Sequence, residues 1–186
     1  MDERYVAVSI VLAAANFAAA KHCGQFRKGA DNAPYINHPI AVANVLANEA
    51  GIVDSITLAA ALLHDTIEDT ATSAAELAAQ IGPEIASVVV EVTDDKRLDK
   101  AERKRLQIEH APHISKRAKL VKLADKICNL RDINKSPPVG WSTERKREYF
   151  TWARQVAAGL RGESVILDDL FEAEFALRPA QSTRPA

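Results

Sequence analysis

Apolar residues recur every three to four positions through almost the whole chain, in blocks opened by capping side chains and closed by glycine or proline. That period belongs to helices, not strands. Val6, Ile10, Ala13, Phe17 and Ala20 define the first block, and Gly24 stops it. Residues 24–36 are irregular and polar, with Gly24, Gly29, Asp31, Asn32 and Pro34. Pro39 stands early in a helix running to about Gly51, where its missing N–H costs nothing. Asp54 or Ser55 caps the next helix, through Ile56, Ala59, Ala60 and Leu63. Ser73 and Glu76 have the spacing of a capping box for a short helix ending at Gly82. Val88-Val89-Val90 is the one strand candidate; no partner strand is visible nearby, so it is read as buried helix. A charged helix covers roughly 99–110 and breaks at Pro112. Ser115 to about Asn134 is a long helix closed by Pro137-Pro138 and Gly140, followed by helices at about 142–160 and 163–177. The expected fold is an all-α, single-domain helical bundle over 1–178, with 179–186 as a flexible tail.

Composition agrees. The chain has 33 alanines against 7 glycines, which favours helix over sandwich or barrel. At 186 residues it suits one domain with a real core and is short for two. Its net charge of −1 gives no reason to expect nucleic acid or an anionic membrane. No apolar run reaches the roughly 18 residues of a spanning helix, and Met1-Asp2-Glu3-Arg4 lacks the basic start of a secretory signal. Cys23 and Cys128 are too few for a disulfide framework. The expectation is a cytoplasmic protein, with a homo-oligomer left open.

Chemistry concentrates in three segments. Ala59 to Leu63 is apolar and runs into His64, Asp65, Glu68 and Asp69. On one helix His64 and Glu68 share a face, as do Asp65 and Asp69. Burying such groups beside Leu62, Leu63 and Ile67 is costly unless a cation compensates them. His38 opens a helix in Pro34-Tyr35-Ile36-Asn37-His38-Pro39. Asp125 lies close to the apolar stripe of Leu120, Leu123, Ala124 and Ile127, with Asn129 one turn on. Two imidazoles and two carboxylates suit a divalent ion such as Mn²⁺, Fe²⁺ or Zn²⁺. Residues 96–131 hold 12 of the 24 Lys+Arg and only four acids, an asymmetry that can draw an anionic substrate into a cleft. His110 and His113 flank Pro112 and read as a loop pair; His22 reads as a polar helix end, Cys128 as a core residue, and Trp141 and Trp152 as packing anchors.

The order H…HD…D, with Glu91-Val92-Thr93-Asp94-Asp95-Lys96, Lys119 to Asp132, Gly140-Trp141-Ser142 and Glu148 to Ala153, resembles the HD-domain metallophosphohydrolases. Within them the chain is similar to the RelA/SpoT hydrolase branch, and in particular to the stand-alone small alarmone hydrolases, over about residues 5–170. The resemblance implies an HD-type bundle and one Mn²⁺ per chain held by His38, His64, Asp65 and Asp125. It matches Glu68 and Asp69 to an acidic pair beside the attacking water. Either can position or deprotonate that water; Glu68 is read as orienting it and Asp69 as assisting. The implied substrate is the small nucleotide guanosine tetra- or pentaphosphate, which loses its 3′-pyrophosphate. Removal of the 2′-phosphate of NADPH is known for an animal branch and stays open beside it, as does a non-catalytic alarmone-binding module. The resemblance matches Arg27, Lys28, Asn129 and Tyr149 to the substrate side; Lys100 and Lys122, from the basic stretch, are expected there too. Departures are the long loop Gly29 to Ala33 and the acidic Asp132. The expected enzyme hydrolyses without synthetase or regulatory domains.

Overall fold

The computed structural model describes residues 3–180, so the expected tail lies, from 181 on, outside the described residues. The helices are α1 (Glu3–Lys21), α2 (Asn37–Asn44), α3 (Ser55–Leu63), α4 (Thr66–Asp69), α5 (Ala74–Gln80), α6 (Pro83–Val92), α7 (Lys100–His110), α8 (Lys116–Lys135), α9 (Thr143–Ala158) and α10 (Val165–Ala176). Among the described residues extended pairing is confined to two isolated bridges, Phe26 with Pro34 and Gly29 with Pro138. The valine run is helical: Val88, Val89 and Val92 bury one side of α6.

Capping chemistry sets several starts. Asp54 accepts from the Thr57 amide at 3.2 Å and the Thr57 hydroxyl at 2.6 Å. Ser73 accepts from the Glu76 amide at 3.1 Å. Only half of that capping box forms, because the Glu76 carboxylate accepts from Lys21 at 2.6 Å instead.

α3 is the centre of the bundle. Ala59 to Leu63 are all buried, and the three alanines let α1, α2, α6 and α8 approach closely. α8 is the second pillar, packed on α2, α3, α6, α9 and α10. These two helices bring Asp65 and Asp125 together.

Two expectations need correction. The helix expected to reach Gly51 leaves α geometry at Val45, and Val45–Glu49 forms a π turn closed by the Ala50 amide on the Val45 carbonyl at 2.9 Å. Both Val45 and Leu46 are buried, while Arg131 holds Glu49 by two bonds of 2.8 Å. The wider turn satisfies both demands. Nor does the His64–Asp69 segment continue α3. His64 Nδ1 bonds the Ala61 carbonyl at 2.8 Å and Thr66 donates to the Leu63 carbonyl at 2.7 Å, so side chains take the last carbonyls of α3. Asp65, at φ −97° and ψ −4°, sits between two helices, and the expected shared face of His64 with Glu68 is not built on one helix.

Leu63→Ala removes a fully buried side chain beside His64. It is expected to cost about 2–5 kcal/mol and to lower Tm by roughly 5–15 °C in calorimetry. An unchanged Tm would contradict this account of the core.

Candidate metal centre and nucleotide cleft

His38 and His64 point their Nε2 atoms at the same two carboxylates. His38 Nε2 is 3.0 Å from Asp125 Oδ1 and 4.0 Å from Asp65 Oδ2; His64 Nε2 is 3.1 Å from Asp65 Oδ2 and 3.7 Å from Asp125 Oδ1. Ligand atoms of His38, His64 and Asp65 all lie within 4.8 Å of one another, the spacing of donors around one ion. The bond to Ala61 leaves His64 Nε2 facing the carboxylates, where it is buried without a hydrogen-bond partner. A donor set of two imidazoles and two carboxylates, with one orphaned nitrogen aimed into it, fits a divalent cation.

The electrostatics express the same strain. Burial alone would raise Asp65 and Asp125. The imidazoles, and Lys126 beside Asp125, hold both carboxyls well below the usual range. Burial alone would lower His64, yet Asp65 and Asp125 carry it well above an ordinary histidine. Two part-buried anions thus require cations beside them, and a dication meets that need without the imidazole proton. Lys126 bonds Asp125 Oδ2 at 3.1 Å, and Asn129 donates to Asp125 Oδ1 at 2.6 Å.

The acidic pair divides. Asp69 accepts from Tyr35, whose hydroxyl lies 2.6 Å from Asp65 and 2.9 Å from Asp69. Burial pushes that phenol far up, so it remains a proton donor between the carboxylates. Lys96 pairs with Asp69 from the other side. Glu68 accepts from the Asp94 amide at 3.2 Å and lies 3.7 Å from Arg103. Burial, then the nearby Asp94, Asp65 and Asp69 charges, raise it to about 7 despite the amide bond.

Arg27, Lys28, Asn129 and Tyr149 line one cavity of about 730 Å³ with His38, Asp69 and Trp141. Arg27 donates to Asn129 at 3.0 Å and to Asp132 at 2.6 Å, and Asp132 lines the same cavity, where it takes up part of the Arg27 charge. Lys100 sits apart, in a smaller cavity that shares Trp141 and Tyr149 with the first. Lys122 does not line the cleft: its buried ammonium donates to the Val92 carbonyl at 3.0 Å and faces Asp94 at 3.7 Å. Its expected place beside substrate is thereby corrected to support beneath Asp94.

Tyr35, Lys126 and Arg103 join the cluster without standing among the residues expected there. Tyr35 lies three residues before His38 and Lys126 one after Asp125, so adjacency was a usable signal; Arg103 reaches Glu68 only through the folding of α7. His22 is not merely a helix end. It is buried, stacked on Tyr35 at 4.7 Å between ring centroids, and bonded to Gln25 at 2.8 Å.

The HD-domain family model matches residues 14–156. The chain belongs to the HD-domain family. It is 55% identical over 168 residues to the guanosine-3′,5′-bis(diphosphate) 3′-pyrophosphohydrolase MESH1 of Homo sapiens, covering 90% of this chain and 94% of that protein. The MESH1 protein of Xenopus tropicalis is 54% identical over 160 residues, 86% of this chain and 89% of that one. A solved structure described as a metazoan ortholog of SpoT that hydrolyzes ppGpp superposes with a TM-score of 0.88 at 47% identity, over 91% of this chain and 95% of that one.

Glu68 yields a stability prediction. Its carboxyl protonates near pH 7 in the fold, against 4.5 for the free group, so its charge opposes folding above pH 7 and is absent in both states below about 4.5. Glu68→Gln is expected to raise Tm by a few degrees at pH 8 and leave it unchanged at pH 4. An equal Tm at pH 8 would contradict the burial of this charge.

Proposed function

We propose that this protein is a metal-dependent (p)ppGpp 3′-pyrophosphohydrolase, which converts guanosine tetra- or pentaphosphate and water to GDP or GTP and pyrophosphate. The convergence of His38, His64, Asp65 and Asp125, with His38 reaching the wall of a cavity that also carries Arg27, Lys28, Trp141 and Tyr149, carries this reading, and the names of the relatives supply the substrate. We assign the ion as Mn²⁺, one per chain, and the HD domain as residues 1–178.

A divalent cation held by these four residues would polarise a phosphoryl oxygen and bring the pKa of water from 15.7 to about 7. Glu68, itself near 7, receives the proton as water attacks the phosphorus next to the ribose 3′-oxygen. The 3′-oxygen–phosphorus bond breaks, and Asp69 assists with the proton that the departing oxygen needs. Tyr35 keeps Asp65 and Asp69 in register through its one hydroxyl. Asn129 orients Asp125 with its amide and Arg27 with its carbonyl, so ion and nucleoside positions are fixed by one side chain. Arg27 and Tyr149 offer flat surfaces to the purine, and Lys28 offers charge to phosphate.

Purified protein with Mn²⁺ and guanosine tetraphosphate is expected to release GDP and pyrophosphate, to stop on chelation and to recover when Mn²⁺ is restored. NADPH offered in parallel separates the alternatives: a higher kcat/KM for loss of its 2′-phosphate would move the substrate assignment. Glu68→Gln is expected to lower kcat by about 10²–10⁴ with metal content unchanged, and full turnover would remove Glu68 from its role. Arg27→Ala is expected to weaken substrate binding with metal content unchanged; unaltered KM would exclude it from the nucleoside site.

A further inference from the structure

α4 is a single turn, and a helix that short does not hold its shape unaided. It nevertheless carries Glu68 and Asp69, the two acids beside the metal cluster. Two side chains from the segment between α1 and α2 grip its end. The Tyr35 hydroxyl, which also bonds Asp65, lies 2.9 Å from the Asp69 carboxylate, and the Gln25 amide donates to the Asp69 carbonyl at 2.9 Å. The backbone amide of Tyr35 bonds the Gln25 carbonyl at 2.9 Å, so the two grips share one frame. Both side chains line the large cleft.

His22 touches both grips from behind. It is buried and is not among the described residues that line the cleft. Its ring stacks on Tyr35, with the planes 23° from parallel, and its Nδ1 lies 2.8 Å from Gln25 Oε1. Gly24, at φ 75°, turns the chain so that the Gln25 backbone amide reaches the His22 carbonyl at 3.0 Å. The polarity of this series is forced. The Asp69 carbonyl only accepts, so Gln25 turns its NH₂ to it and its Oε1 to His22, and His22 Nδ1 must carry the hydrogen. Nε2 is then the lone-pair nitrogen, and it is buried with no hydrogen-bond partner among the described residues. Such an orphan costs stability, whereas a phenylalanine would stack on Tyr35 without it. Packing alone therefore does not call for histidine at this position; the bond to Gln25 does.

We infer that His22 is a positioning residue for the hydrolysis, which seats Tyr35 by stacking and Gln25 by hydrogen bonding so that α4 holds its acids in one fixed geometry beside the metal cluster. It acts only through those two side chains and through Asp69. A displacement of about 1 Å at reacting groups costs on the order of 100-fold in rate, so loss of the bond to Gln25 is felt in kcat although nothing that lines the cleft has been removed. The catalytic consequence rests on the proposed hydrolase reading; the seating of α4 does not.

The test is His22→Phe, which keeps a stacked ring and removes the donor. With Mn²⁺ and guanosine tetraphosphate its kcat is expected to fall about 10- to 100-fold, with KM within about twofold of wild type, bound Mn²⁺ unchanged and Tm equal or higher. Gln25→Met keeps the side-chain length and loses both bonds, and it covers the case in which the phenylalanine variant folds poorly. It should lower kcat to a similar extent, and adding His22→Phe to it should lower kcat no further, because the two residues act in series. Hydrogen exchange reads the same seating without turnover: the amides of Asp69 and Thr70 should exchange about tenfold faster in either variant, with those of α3 unchanged. Full kcat in a folded His22→Phe protein, a loss confined to KM or to bound Mn²⁺, additive losses in the double variant, or unchanged exchange at Asp69 and Thr70 would each overturn the inference. Release of no pyrophosphate from guanosine tetraphosphate by wild-type protein would refute the hydrolase reading, and the exchange comparison would then decide alone for or against the seating by His22.

Discussion

Two ionised carboxylates held at the end of an apolar core set the terms for this molecule. Asp65 and Asp125 are kept ionised by the imidazoles of His38 and His64 and by the buried ammonium of Lys126. Neither anion could persist at that depth alone. The bundle holds them together because α3 and α8 pack tightly through alanine, leucine and isoleucine, so the opposing charges meet at fixed distances. Such a site is poised for a dication, because the charge it would balance is already in place.

The surrounding groups extend that constraint outward in a connected series. Asn129 links Asp125 to Arg27; Tyr35 links Asp65 to Asp69; Lys126 links Asp125 to Trp152. Asn129 and Tyr35, which bond the carboxylates of the cluster, therefore also line the large cavity. Glu68 stands in a separate branch, governed by Asp94 and Arg103, and its raised pKa follows from burial among acids. A carboxyl raised close to neutrality and carboxyls held ionised coexist within a few residues because their partners differ in charge.

Much of this was legible in the sequence. Helical periodicity and the caps Asp54 and Ser73 located the helices, and the absence of a partner for Val88 to Val90 made that run helical. The residue types at 38, 64, 65 and 125, in the order H…HD…D, point to the cluster whose imidazoles and carboxylates the fold brings together. What stayed hidden depends on bonds that spacing does not encode. The rule that residues four apart share a face presumes an unbroken helix, and His64 and Thr66 break it by capturing the carbonyls of Ala61 and Leu63. The π turn answers to Arg131, more than eighty positions away. Lys122 carries the charge expected of a substrate contact, but its helix register sends it inward to Val92 and Asp94.

Anomalous diffraction from crystals grown with Mn²⁺ shows whether an ion sits among these four side chains. One strong peak per chain is expected, within coordinating distance of His38, His64, Asp65 and Asp125 together. No peak among these four side chains at saturating Mn²⁺, or a peak bound elsewhere while the protein still turns over, would contradict it.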